Sequence, residues 1–190
     1  QRTCINMSDL KTLVEGYQHK NYKRVHRNEL AYQQTNELAT QELTRLVAIY
    51  KEQFTENQTA RLIRDSIDHW IRRVQKYCIQ GAIGSHYIEE GVNVAERVFE
   101  HVLPEGVVRN MLIQDRLTIN QALNTPTCFI KKSSDIKLSK SGLVSTTPNP
   151  WYFFQRYFVL NTNFSTYNGQ TIESQDTWSL ADHYTFFGIS

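Results

Sequence analysis

A chain of 190 residues can bury roughly 70% of the surface that its unfolded form exposes. At 40% apolar and 21% charged it lacks the composition of a disordered protein. Its 21 Lys and Arg against 19 Asp and Glu leave a net charge of only +2, which excludes a global field steering it onto nucleic acid or an anionic membrane. No stretch reaches the ~20 apolar residues of a spanning helix and no basic-then-apolar leader is seen, so the chain is expected to be soluble as given. It begins at Gln1, read as a processed or trimmed start that leaves localisation open.

The first element is a short amphipathic helix, with Leu10, Leu13, Val14 and Tyr17 at i, i+3, i+4 and i+7 and Ser8 as its N-cap. A basic connector follows, carrying Lys20, Lys23, Arg24 and Arg27. Residues 28–54 have no Gly or Pro and repeat Leu43, Leu46, Val47, Tyr50 and Phe54 at helical spacing, which predicts a long helix. A third helix follows on the stripe Ile63, Ile67, Trp70, Ile71, Val74 and Cys78, and the two long helices are expected to form an antiparallel hairpin. Ser85 is read as the cap of a fourth helix with Ile88, Val92, Ala95, Phe99 and Val102 on one face, ending at Pro104. A fifth uses Val108, Leu112, Ile119 and Leu123.

Beyond Thr127 the helical period fades. Cys128, Phe129 and Ile130, then Ile136, Leu138, Leu143 and Val144, read as short strands. Asn168-Gly169 marks a hairpin of type I′ with arms near 162–167 and 170–178. Residues 150–160 satisfy neither period: Asn149-Pro150 favours a helix start, and the aromatic run favours a strand. The last quarter, 143–190, holds 12 of the 22 aromatic residues with one basic and three acidic groups. The fold class expected is therefore α+β: one domain over 1–190, with a bundle of four to five helices through 1–124 and a small antiparallel, aromatic-rich, charge-poor β region over 125–190.

Common enzyme signatures are missing, with no GxSxG elbow, phosphate-cradling Gly-rich loop or dinucleotide fingerprint. Cys4, Cys78 and Cys128 are too few and too scattered for a disulfide scaffold or a CxxC site and favour a reducing compartment. Cys78 and Cys128 read as buried, neutral thiols. Asp65 with His69, and His86 with Glu90, each sit four apart and offer a metal set across the bundle, although the surrounding Asp65, Asp68, Arg61, Arg64 and Arg72 also read as a solvated face of ion pairs. Lys20, Lys23, Arg24 and Arg27, with interleaved tyrosines, offer a phosphate grip for nucleic acid. Trp151, Phe154, Phe158 and Trp178 must be buried or recognised by a partner. The leading expectation is a non-enzymatic interaction or assembly subunit with other protein subunits as partners and no cofactor. The alternatives are a metal-dependent enzyme and a nucleic-acid-binding protein.

Overall fold

The computed structural model describes residues 28–53 and 57–190. The helix expected over 8–17 and the basic connector with Lys20, Lys23, Arg24 and Arg27 lie outside them. Helix α1 (Glu29–Gln53) forms where the long Gly- and Pro-free run predicts it and buries Ala39, Leu43 and Leu46 on one stripe. Helix α2 (Gln58–Val74) starts at Asn57, whose side chain accepts from the Ala60 N–H, and buries Ala60, Ile67, Ile71 and Val74. The rod continues through a π turn (Gln75–Ile79) and a last turn (Gln80–Ala82). Tyr32 at the start of α1 meets Gly81 at the end of this rod, so the pair is antiparallel as expected. A Cβ on Gly81 would lie 2.6 Å from Tyr32 Oη, and glycine lets the ring come this close.

Residues 85–102 are not the expected fourth helix. They form strand β1 (Tyr87–Glu89), a 3-10 turn (Val94–Glu96) and strand β2 (Arg97–His101). Gly91 at φ +70° cannot continue a right-handed helix, and the Asn93 side chain accepts from the Ala95 N–H and starts a new turn. The β-branched Ile88, Val92 and Val98 then favour extended backbone. The single fifth helix is two, α3 (Glu105–Ile113) and α4 (Ile119–Leu123), parted by a left-handed residue, Asp115 at φ 57°.

Strand β3 (Thr127–Lys131) occupies the predicted Cys128–Ile130 site, but Ile136 and Leu138 lie in helix α5 (Lys132–Lys140), not in a strand. Its first turn is capped from a distance: Glu89 on β1 accepts from the Lys131 N–H at 2.7 Å and from Ser134 Oγ at 2.8 Å. The ambiguous 150–160 stretch folds as a 3-10 helix, Phe153–Leu160. Strand β4 (Phe164–Thr166) turns at Asn168-Gly169 as expected, but φ is positive only at Gly169, so the loop is the three-residue form with a glycine bulge, not type I′. The expected second arm gives a single bridge, Ser165 to Thr171. The chain then enters helix α6 (Leu180–Phe187), set by a Ser179–Asp182 capping box and stopped at Gly188, φ 65°.

The architecture is α+β with its aromatic cluster in the C-terminal region. The sheet is mixed, not purely antiparallel, and it takes two strands from before residue 125. Its order is β2-β3-β1-β4, with β1 and β3 parallel and the outer pairs antiparallel. On the inner face Tyr87, Cys128 and Thr166 lie in one row with Glu100, under the 3-10 helix that supplies Phe153, Phe154, Arg156 and Tyr157.

Arg156 is the largest fully buried side chain and ties these layers together. Val102 lies opposite Pro126, donating to its carbonyl at 3.1 Å, but Pro126 has no N–H to return. Arg156 Nη1 fills that place, donating to the Val102 carbonyl at 2.7 Å and the His101 carbonyl at 2.9 Å. Nη2 donates to Glu100 Oε1 at 2.5 Å and to the Val144 carbonyl at 3.0 Å. Replacing Arg156 with Met is expected to cost about 3–5 kcal/mol in urea unfolding, since Glu100 loses its partner in a largely buried site and the Val102 and His101 carbonyls lose their donor. Adding Glu100→Leu should restore part of that loss but not all, because the carbonyls stay orphaned.

Candidate functional site

The polar side chains with chemical potential converge at the inner end of β1. Tyr87 is fully buried, and its hydroxyl lies 2.9 Å from His183 Nδ1. His183 Nε2 lies 2.9 Å from the Asn124 carbonyl, which can only accept, so Nε2 carries the proton and Nδ1 accepts from Tyr87. Trp178 Nε1 donates to the Tyr87 hydroxyl at 3.0 Å. Every donor direction in the relay Trp178, Tyr87, His183, Asn124 is therefore set. Next to it, His86 Nδ1 accepts from the Thr127 N–H at 3.2 Å, and the His86 and His183 rings meet edge to face at 4.7 Å.

Burial controls the ionisation here. It holds His86 well below the ordinary imidazole value, with His183 pushing the same way. It takes His183 down to about 3, against the pull of its bond to Asn124. Burial also raises the phenols of Tyr87 and Tyr157 and the thiol of Cys128, which lies 3.3 Å from Tyr157 Oη. The relay starts on an indole N–H and ends on an amide carbonyl, so it has no group that can hand on a proton. None of these residues lines the clefts at Gly91, at Trp151, at Tyr32 or at His69. Chemically the cluster is a rigid joint between β1, β3 and α6.

A second polar joint sits at the π turn. Buried Gln75 donates through Nε2 to Thr125 Oγ1 at 2.5 Å and accepts at Oε1 from His101 Nδ1 at 2.6 Å. Burial takes His101 down to about 4, against the pull of Glu105. On the next residue burial pushes Glu100 up to about 7, with Arg156 opposing.

The four metal candidates are not brought together. Asp65 and His69 line a pocket on α2 with Asp68, Arg72 and Glu105, where Arg72 pairs with Glu105 at 2.8 Å and Arg109 with Asp68. His86 is buried against Thr127, and Glu90 is exposed at another cleft, accepting from Asn163 Nδ2 at 3.1 Å. Loss of the expected fourth helix is the reason, because the i,i+4 pairing of His86 and Glu90 needs helical backbone. Among the described residues no three His, Cys, Asp or Glu side chains are grouped to hold a metal ion.

The four aromatic candidates divide evenly. Phe154 is buried and Trp178 half-buried in the relay, whereas Trp151 is 48% and Phe158 54% exposed. Trp151 forms one wall of a cleft of about 470 Å³ against α3, with Val107, Met111, Pro150, Asn149 and Arg116 around it. The backbone on both walls is pinned. Asn149 Oδ1 accepts from the Trp151 N–H at 2.9 Å, and the Trp151 carbonyl accepts from the Leu180 N–H at 2.8 Å. Across the cleft, α3 ends in a Schellman turn, with Arg116 N bonded to Met111 O at 2.8 Å and Asp115 N to Leu112 O at 3.1 Å. Sequence reasoning passed over Arg116 and Met111 because the left-handed position is Asp115, not the glycine that usually marks such an end. It passed over Arg156 as a polar interruption.

Comparison with protein-family models, curated protein sequences and solved structures finds no match to this chain.

Tyr87→Phe leaves His183 Nδ1 and Trp178 Nε1 without their partner and is expected to lower stability by about 1–3 kcal/mol in urea unfolding. Stability is also expected to fall with acid. His86, His101 and His183 have folded values below 6.5, so the unfolded chain binds more protons between that value and about 4. Their contribution is complete above pH 6.5 and is lost as pH falls towards the folded values. Glu100 and Asp68, both raised by burial, work oppositely, the contribution of Glu100 fading as pH rises from 4.5 to about 7, but these two carboxyls are set against three imidazoles. A buried histidine loses about 2 kcal/mol by pH 5, so the urea midpoint should be lower at pH 5 than at pH 7. An equal or higher midpoint would show that these imidazoles are not held neutral.

Proposed function

We propose that this chain is a non-enzymatic interaction or assembly subunit that binds a protein partner through the outer face of the 3-10 helix Phe153–Leu160. The observation that carries this reading is the division of that helix. Phe153, Phe154, Arg156 and Tyr157 are spent on the core, while Phe158 and Val159 stand 54% and 39% exposed. Val144, 58% exposed, is tied to the same helix through its carbonyl bond to Arg156. Ile136, 47% exposed, belongs to α5, which packs on it. The segment 143–190 that supplies Phe158, Val159 and Val144 has one basic residue, the buried Arg156, whereas α5 beside Ile136 carries the exposed Lys132, Lys137 and Lys140. Apolar anchors in a charge-depleted surface are the composition of an interface core. Among the described residues His86, His183, Tyr87 and Cys128 are consumed in internal bonds, which also favours binding over catalysis.

The test is recovery of the tagged chain in its native complex, followed by reassembly of that complex from purified proteins. Phe158→Glu is expected to weaken reassembly by about tenfold or more, with unchanged unfolding of the isolated chain. Equal affinity for the wild-type and Phe158→Glu chains, or a chain recovered alone and monomeric at every concentration, would overturn the reading.

A further inference from the structure

We infer that the Trp151 cleft is a separate docking site for an acidic peptide segment of a partner protein, one that places a bulky apolar side chain between Trp151 and Met111 and a neighbouring Asp or Glu on Arg116. Phe158 and Val159 do not line this cleft, so it stands apart from the surface proposed above.

Size and chemistry both point to such a segment. At about 470 Å³ the cleft lies within the range of sites that take a side chain and its flanking backbone. Val107, Met111, Pro150 and Trp151 make its apolar walls, and an unbranched thioether beside an indole adapts to aliphatic or aromatic guests. The walls are held before anything binds. Asn149 and Leu180 fix the Trp151 backbone, and the Schellman turn fixes that of Arg116, so little ordering remains to be done on binding.

The charge of the cleft selects the guest. Among the described residues Arg116 is the one charged residue that lines it, and no carboxylate does. Among the described residues nothing pairs with the Arg116 guanidinium. The nearest acid in the chain, Asp115, is instead paired with Lys51 at 2.6 Å. Asn149 spends Oδ1 on the Trp151 and Tyr152 N–H groups, which leaves its Nδ2 as a donor, and Asn110 and Gln114 add amide groups at the rim. A guanidinium with amide donors beside it complements a carboxylate and repels a cationic segment.

The test follows the three tryptophan indole N–H resonances of the labelled protein, with Trp151→Phe to assign the one that matters. The probes are short blocked peptides with a central Leu, Phe or Trp flanked by Glu, matched peptides flanked by Gln or by Lys, and octanoate as a carboxylate with an apolar tail but no peptide. Glu-flanked peptides are expected to shift the Trp151 resonance and saturate at lower concentration than Gln-flanked ones, with affinity falling as salt rises. Arg116→Glu should weaken that binding about tenfold, and Phe158→Glu should leave it unchanged. An unmoved Trp151 resonance, Lys-flanked peptides binding as well as Glu-flanked ones, or full affinity in Arg116→Glu would each overturn the inference. Octanoate saturating as tightly as the best peptide would also overturn it, in favour of a small-molecule site. A cleft that fails while the Phe158-dependent complex survives leaves the subunit reading standing, and the converse result separates them the other way.

Discussion

The guanidinium of Arg156 holds the layers of this protein in place. Proline at 126 removes one N–H from the β2–β3 ladder and leaves the Val102 carbonyl without its strand partner. Such a buried acceptor is costly unless another donor reaches it. Arg156 supplies that donor from the 3-10 helix above the sheet and in the same plane also satisfies His101, Val144 and Glu100. One side chain thus fixes the height and the rotation of the aromatic helix over the inner face. The directions in which Phe153, Phe154 and Tyr157 point inward and Phe158 and Val159 point outward follow from that.

The same economy governs the rest of the polar interior. Glu89 crosses from β1 to cap α5, Gln75 uses a π turn to reach His101 and Thr125, and Tyr87 with His183 joins the sheet to α6. Burial favours the form that each partner requires at His86, His183 and Cys128: neutral imidazoles where they accept from a backbone N–H or a phenol, and a neutral thiol beside Tyr157. Polar groups bonded across elements in this way serve to specify one arrangement of them, although Arg156 Nε, Arg109 Nε and Asp68 Oδ1 are buried without a partner among the described residues.

Part of this was legible without coordinates. The long helices were readable because a stripe of apolar residues at 3.6 spacing, kept up over many turns, puts every apolar side chain on one face of a helix and scatters them over both faces of a strand. Strand β3 was readable as a short apolar run of Cys128, Phe129 and Ile130 between breaks. The stripe through Ile88, Val92, Ala95, Phe99 and Val102 misled because short β-branched segments satisfy both periods, and the residue that decides between them is Gly91. The strands expected at Ile136 and Leu138 misled for another reason: the cap that starts α5 is a carboxylate 45 residues away in the chain. Of the proposed sites, Trp151 and Phe158 were legible as aromatic residues in a charge-poor segment. The cleft around Trp151 was not, since its other wall comes from α3.

What the sequence determined by itself was local and compositional: two long helices, the Asn168-Gly169 turn, buried thiols, an α+β balance and a charge-poor aromatic end. Tertiary structure alone decided the parallel pairing of β1 with β3, the burial of an arginine, the dispersal of Asp65, His69, His86 and Glu90, and which aromatic residues remain outside. The physical reason is range. Periodicity and capping act over a few residues, whereas a donor for Val102, a cap for α5 and a cover for Phe154 are found only by segments brought together through folding.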